Sequence, residues 1–155
     1  MSAKISWAIK HFNELSTTEL YDILRLRMEV FVVEQNCPYQ DADGKDMFAF
    51  QVTGRNSDQE LLAYARILPA GISFGEVSIG RVITSPKARG TGAGKTLMEK
   101  SIAMCRLIYG NVPVRIGAQS YLIKFYESFG FGVASEEYLE DNIPHVEMLK
   151  PADFS

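Results

Sequence analysis

At 155 residues with 46% hydrophobic content, the chain is long enough to bury one substantial core and too short for two, so a single domain spanning 1–155 is expected. A formal charge of -3 and a pI near 5.4 exclude a nucleic-acid groove built on bulk positive charge. No apolar run approaches the roughly 18 positions of a spanning helix, and Met1 to Trp7 hold no run of signal-peptide length, so a cytoplasmic protein with no membrane partner is expected. Cys105 falls in a helical pattern and Cys37 in a loop, which argues against both a disulfide and a cysteine-ligated zinc.

Along the chain, Ile5, Trp7 and Ile9 alternate with polar or small residues and predict a first strand. Ser16-Thr17-Thr18-Glu19 reads as a capping box opening a helix with apolar positions Leu20, Leu24, Met28 and Phe31. Asn36 to Asp46 is rich in turn formers and reads as a loop. Met47 to Gly54 and Leu61 to Leu68 predict a hairpin around the polar turn Arg55 to Gln59. Val77 to Thr84 is the next strand, with Val77, Ile79 and Ile83 expected on one face. A helix from Thr96 to Tyr109 is stopped by Gly110, a strand follows over Val112 to Gln119, and a short helix from Tyr121 to Phe129 is stopped by Gly130. Two strands, near Phe131 to Tyr138 and His145 to Leu149, finish the chain. This order predicts an α/β (α+β) fold, a mixed sheet with helices on both faces.

The most informative stretch is Arg89-Gly90-Thr91-Gly92-Ala93-Gly94-Lys95, placed between the Val77 to Thr84 strand and the following helix. Its glycines let backbone N–H groups converge on one anion at a positive helix end, so it reads as a phosphate cradle. Counting separates the phosphate motifs. Gly94-Lys95-Thr96 matches the end of a G-x-x-x-x-G-K-[ST] loop, but Arg89 holds the place of its first glycine. The glycines are also spaced G-x-G-x-G rather than G-x-G-x-x-G, and no acidic residue ends a second strand where a dinucleotide fold needs one. What fits is R-x-x-G-x-G, carried by Arg89, Gly92 and Gly94.

On that motif the chain resembles the GNAT acyltransferase superfamily, in which the loop binds the pyrophosphate of acyl-coenzyme A. Phe125-Tyr126-Glu127-Ser128-Phe129-Gly130-Phe131 is similar to the superfamily's F-Y-x-x-x-G-F signature. Arg27 to Gln40, Ile79-Gly80-Arg81-Val82, Gly117-Ala118-Gln119 and Asp141 to His145 resemble the ElaA-like branch. The resemblance covers essentially the whole chain. It implies a mostly antiparallel mixed sheet, acetyl-CoA as cofactor, an amine acceptor on a small molecule or peptide, and a possible homodimer. It also implies that Arg89, Gly90, Thr91, Gly92, Ala93, Gly94 and Lys95 bind the cofactor's phosphates. Main-chain groups of Val82, Ile83 and Thr84 would pair with its pantetheine arm, Gln119 would contact it where many relatives have asparagine, and Tyr126 would protonate the departing sulfur. Two departures from the branch stand out: Asp46 runs directly into Met47 where a histidine commonly follows the Asp-Gly-x-Asp segment, and Tyr121 stands where a histidine often precedes the F-Y motif, so no acceptor role for those histidines transfers.

Other constellations are weaker. Asp41, Asp43 and Asp46 with Gly44 lack calcium-loop spacing, since Gly44 is fourth and Val52 twelfth from the first aspartate. They read instead as an acidic turn facing a cationic acceptor. With two histidines in the chain, no histidine-rich metal site is expected. A protonated amine of pKa near 10 must lose its proton before it attacks, and the candidate bases are His145, at a strand start, and Glu34, whose partial burial at a helix end would raise its pKa. The expected function is therefore N-acetyl transfer, with a non-catalytic acyl-CoA sensor as the alternative.

Overall fold

The computed structural model describes residues 4–153; the extreme ends of the expected 1–155 domain, and Met1 to Ala3 of the leader reading, lie outside them. Eight strands form one sheet in the order β1-β2-β3-β4-β5-β8-β6, with β7 also paired to β8. The strands are β1 (Ser6–His11), β2 (Phe50–Arg55), β3 (Leu61–Leu68), β4 (Val77–Thr84), β5 (Val114–Gln119), β6 (Gly132–Val133), β7 (Tyr138–Glu140) and β8 (Ile143–Lys150). Every pairing is antiparallel except β4 with β5. Among the described residues no helix is long and apolar enough to cross a membrane.

Helix α1 (Thr17–Arg27) starts at the expected capping box: Ser16 Oγ accepts from the Glu19 N–H and the Glu19 carboxylate accepts from the Ser16 N–H. It then widens into a π-helical segment, Met28–Glu34. The buried stripe is not the expected Leu20, Leu24, Met28, Phe31 series. Ile23, Leu26 and Val30 pack on Tyr64 and Ile83, while Met28 is exposed. Both series have helical spacing, and only contact with the sheet decides which one faces inward.

The opposite face of the sheet is covered by α2 (Ala93–Tyr109) and α3 (Ile123–Glu127). Leu97, Met98, Cys105 and Tyr126 join Ala63, Ala65, Ile67, Val77 and Ile79 in the main core. Ile83 therefore does not share a face with Val77 and Ile79 as expected. Tyr64 pairs with Ile83 but Arg66 with Gly80, so β4 holds one extra residue, and side chains beyond it change face.

Several boundaries also shift: β5 begins at Val114 rather than Val112, and the helix expected over Tyr121 to Phe129 is a 3-10 turn at Ser120–Leu122 followed by Ile123–Glu127. Met47 and Phe48 form a 3-10 turn, so β2 begins at Phe50. Helix α2 begins at Ala93 rather than Thr96 because Ala93 is buried against Leu62 and Ala88. The strand expected over Phe131 to Tyr138 is broken into β6 and β7, because Ser135 Oγ takes the Glu147 N–H that a continuous ladder would use.

Candidate active site

Strands β4 and β5 run parallel but pair only at Val77–Val114 and Ser78–Arg115. Beyond that point they splay. A cavity of about 1090 Å³ opens between them, lined by Ile79 to Thr84 of β4 and by Ile116, Gly117 and Gln119 of β5. This lies at the upper end of the usual small-ligand range of about 300–1,000 Å³. Main-chain polarity along β4 follows from the ladder. The Ser85 N–H donates to Leu62 O, and hydrogen-bonded pairs alternate, so Ile83 also faces β3. The main-chain groups of Val82 and Thr84 consequently point into the cleft. Of the three residues expected to pair with an extended ligand, two are suitably turned and Ile83 lines the cavity without offering its backbone.

At one end of the cleft the chain turns from β4 into α2. Gly90 and Gly92 have φ of 79° and 84°, and a Cβ built on either meets nothing within 4 Å. Packing therefore does not require glycine there. The left-handed backbone does, and it leaves the amides approachable. Gly94 and Lys95 lie in the first turn of α2, whose N–H groups lack partners within the helix and whose dipole favours an anion. Gly90, Gly92, Ala93, Gly94, Lys95 and Arg89 all line the cavity. Thr91 does not, since its hydroxyl donates to Ala88 O within the turn. A group carrying phosphates at one end of an extended chain fits this arrangement.

Glu34 differs from expectation. It is exposed rather than partly buried, and both its oxygens accept from Arg89, at 2.9 and 2.6 Å. The Arg89 guanidinium holds its carboxyl below the ordinary glutamate value, the opposite of what a base requires. The π-helical segment places it there: Phe31 and Glu34 line the cavity together with the buried Val30.

Farther along the cleft, Tyr126 is buried, edge-on to Phe125 at 5.1 Å and to Phe131 at 6.2 Å. Burial, with a smaller contribution from Tyr121, pushes its phenol above the ordinary value, so it keeps its proton at neutral pH. His145 lies opposite Gln119 in the β5–β8 ladder. Its Nδ1 is 2.7 Å from Ile143 O, which fixes the tautomer with the proton on Nδ1 and leaves Nε2 as acceptor. Glu140 Oε2 lies 3.4 Å from that Nε2, and Tyr138 stacks on the ring at 5.9 Å. Both His145 and Tyr126 line the cavity.

The acidic loop does not present free charge to an acceptor. Asp41 takes Arg27 Nε at 2.7 Å, Asp46 takes Arg27 at 2.7 Å and Arg66 at 3.1 Å, and Asp43 takes Arg66 through two bonds of 2.9 and 2.6 Å. Arg27, Arg66 and Asp41 are buried, where a carboxylate or guanidinium without a partner is costly. Arg81 completes the cluster and lines the cavity. The sequence signal for it was a pair of arginines, Arg66 and Arg81, inside otherwise apolar strands. Among the described residues no group of three or more His, Cys, Asp and Glu side chains is arranged to hold a metal ion.

A splayed parallel pair in an otherwise antiparallel sheet, with a glycine turn and helix N-terminus at the mouth of the gap, is the architecture of an acyltransferase fold. The model for the acetyltransferase (GNAT) domain matches residues 27–151, and the chain belongs to that family. Within it the chain falls in the ElaA-like branch. It is 47% identical to protein ElaA of Escherichia coli over 152 residues, covering 94% of this chain and 96% of the relative. The crystal structure of E. coli ElaA superposes with a TM-score of 0.89 at 46% identity, covering 95% of this chain and 99% of that one. An acyl-CoA N-acyltransferase from Pseudomonas aeruginosa gives 0.90 at 42% identity, with 95% and 99% covered.

Proposed function

We propose that the protein transfers an acetyl group from acetyl-CoA to an amine of a small molecule or peptide, by direct attack with both substrates held in the β4–β5 cleft. The observation that carries this reading is one continuous cavity joining the Gly90–Lys95 turn to Tyr126 and His145. Acetyl-CoA supplies an activated thioester when bound. Amides of the Gly90–Gly92 turn and the first turn of α2 would hold its pyrophosphate, with Arg89 adding charge. Main-chain groups of Val82 and Thr84 would bind the pantetheine as an added strand, and Gln119 lies on the facing wall.

His145 Nε2 removes the proton from the acceptor ammonium, directly or through a water, with the Glu140 carboxylate 3.4 Å from that nitrogen. As the C–N bond forms and the C–S bond breaks, the Val82 N–H donates to the acyl oxygen on which negative charge collects. Tyr126 gives its proton to the leaving sulfur, whose thiol has an ordinary pKa of about 8.5, and the second proton, shed by the acylated nitrogen, returns through solvent to the phenolate, so the net products are amide, thiol and one proton held on His145. Glu34 serves as the partner of Arg89 in this scheme and not as the base.

The test is calorimetry with coenzyme A followed by acetyl-CoA with a mixed amine panel, scoring thiol release and N-acetylated product. Amine-dependent thiol release with a matching product supports transfer. Tight coenzyme A binding with no product from any amine returns the chain to the sensor reading, and stronger binding of ATP than of coenzyme A overturns both.

A further inference from the structure

The extra residue in β4 is Arg81, which with Val82 stands opposite Ala65. Its φ is 52°, in the region that L-residues avoid, while the neighbouring Gly80 is not at positive φ. A strained backbone persists only where the surroundings hold it. Here they do. Arg81 Nε lies 2.8 Å from Asp41 Oδ1, close but misaligned for a hydrogen bond, and Nη2 donates to Asp41 O at 3.2 Å and to Asp43 Oδ2 at 3.3 Å. The guanidinium also sits 5.7 Å over the Tyr39 ring.

The anchors are fixed in turn. Asp41 is tied to Arg27 of α1, Asp43 to Arg66 of β3, and Asp46 joins the two arginines. Three elements thus converge on one backbone distortion. Its consequence is geometric: without the extra residue, everything in β4 beyond it would change face, carrying Ile83 out from under α1 and Val82 away from its present orientation.

We propose that Arg81 is a positioning residue for acyl transfer: clamped by Asp41, Asp43 and Tyr39, it holds the β4 distortion that aims the Val82 N–H at the acyl carbonyl. This rests on the acetyltransferase reading above. The side chain acts through its own backbone and does not touch the reacting atoms.

Glycine separates this role from the alternatives, because it adopts positive φ freely whereas alanine does not. R81A should lower kcat at least about tenfold at saturating coenzyme A thioester, and R81G should recover at least about threefold of the loss. A second readout is the Val82 amide resonance. It should move between coenzyme A-saturated and acetyl-CoA-saturated protein in the wild type and in R81G, but not in R81A. If R81A does not fold, R81K replaces it, since a single ammonium cannot fork to both aspartates; R81G should again exceed it. R81A with wild-type turnover and an unchanged Val82 response overturns the proposal, as does R81G behaving no better than R81A. Wild-type protein that binds neither coenzyme A nor acetyl-CoA refutes the acetyltransferase reading instead.

Discussion

Gly92 and Gly94 belong to one motif but are required for different reasons, and alanine at each should separate them. At Gly92, φ is 84° and a Cβ would meet nothing, so Gly92→Ala carries only the left-handed penalty, about 1–2 kcal/mol. At 2–4 °C per kcal/mol for a chain of this size, Tm should fall by roughly 2–8 °C. Gly94 lies in helix α2 without a positive φ, and its Cβ would meet Thr84 Cγ2 at 3.7 Å and Phe125 Cζ at 3.9 Å, ordinary contact distances. Alanine suits a helix better than glycine by up to about 1 kcal/mol, so Gly94→Ala should raise Tm by about 1–4 °C. Both changes add a Cβ where a phosphate must approach main-chain amides, so both should weaken coenzyme A at least about tenfold, or 1.4 kcal/mol. Thermal unfolding and calorimetry on the same samples give the two numbers. A Gly94→Ala protein that is more stable and binds coenzyme A as tightly as the wild type would refute the placement of pyrophosphate over this turn.

Glu34→Gln should leave the low-pH limb of kcat/KM in place, because that carboxyl is already held ionised, whereas His145→Gln should abolish the limb along with most activity; one acceptor titrated across both variants decides it. The same Glu34→Gln change frees Arg89 from an exposed pair of about 0–1 kcal/mol, so coenzyme A should bind up to about fivefold tighter, and calorimetric weakening would show that the pair positions Arg89 instead. Tyr126→Phe should lower kcat about 10²-fold with cofactor affinity nearly unchanged; unaltered kcat with chemistry rate-limiting would make Tyr126 a packing residue. At Asp43, burial works to raise the carboxyl, but Arg66, the Lys45 N–H and Arg81 outweigh it and hold it well below the usual range. Its stabilisation is full above the unfolded value of about 3.9 and lost as pH falls through the acid range. Asp43→Asn should therefore cost about 1.5–3 kcal/mol in urea at neutral pH, and the gap from wild type should narrow below about pH 4.

The sequence was most legible where local pattern and tertiary structure agree. Strands β3 and β4 occupy the expected residues because their apolar runs are bounded by turn formers, and the Ser16–Glu19 box marks the start of α1 because capping is a local hydrogen-bond problem. The glycine turn ahead of α2 was legible for the same reason. What escaped depends on partners distant in sequence. Arg27 and Asp41 are 14 residues apart and Arg81 and Asp41 are 40, so no window joins an acidic loop to the arginines that neutralise it. The distortion at Arg81 has no local cue, since the adjacent Gly80 would be the natural site for it. Glu34 looked like a base only while Arg89, 55 residues away, was absent from its surroundings.

These features divide the cleft into two halves with different physical demands. On the proposed function, the cofactor half would use main chain: the Gly90–Gly92 turn, the first turn of α2, and the cleft-facing groups of Val82 and Thr84. Its side chains matter chiefly through the backbone geometry they permit. The opposite half is walled by side chains from the π-helical segment and the loop after it, among them Phe31 and Tyr39, and by Tyr138 and His145 from the β7–β8 hairpin. A π-helical segment forms part of that wall: Val30, Phe31 and Glu34 all line the cavity, and Val30 is also buried in the cluster with Tyr64 and Ile83. The halves meet at Arg81, whose backbone belongs to β4 and whose guanidinium is bound by the Asp41–Asp46 loop. On that proposal, acceptor choice would vary with the side chains of one wall while binding of the acyl donor, set by main chain on the other, would stay constant.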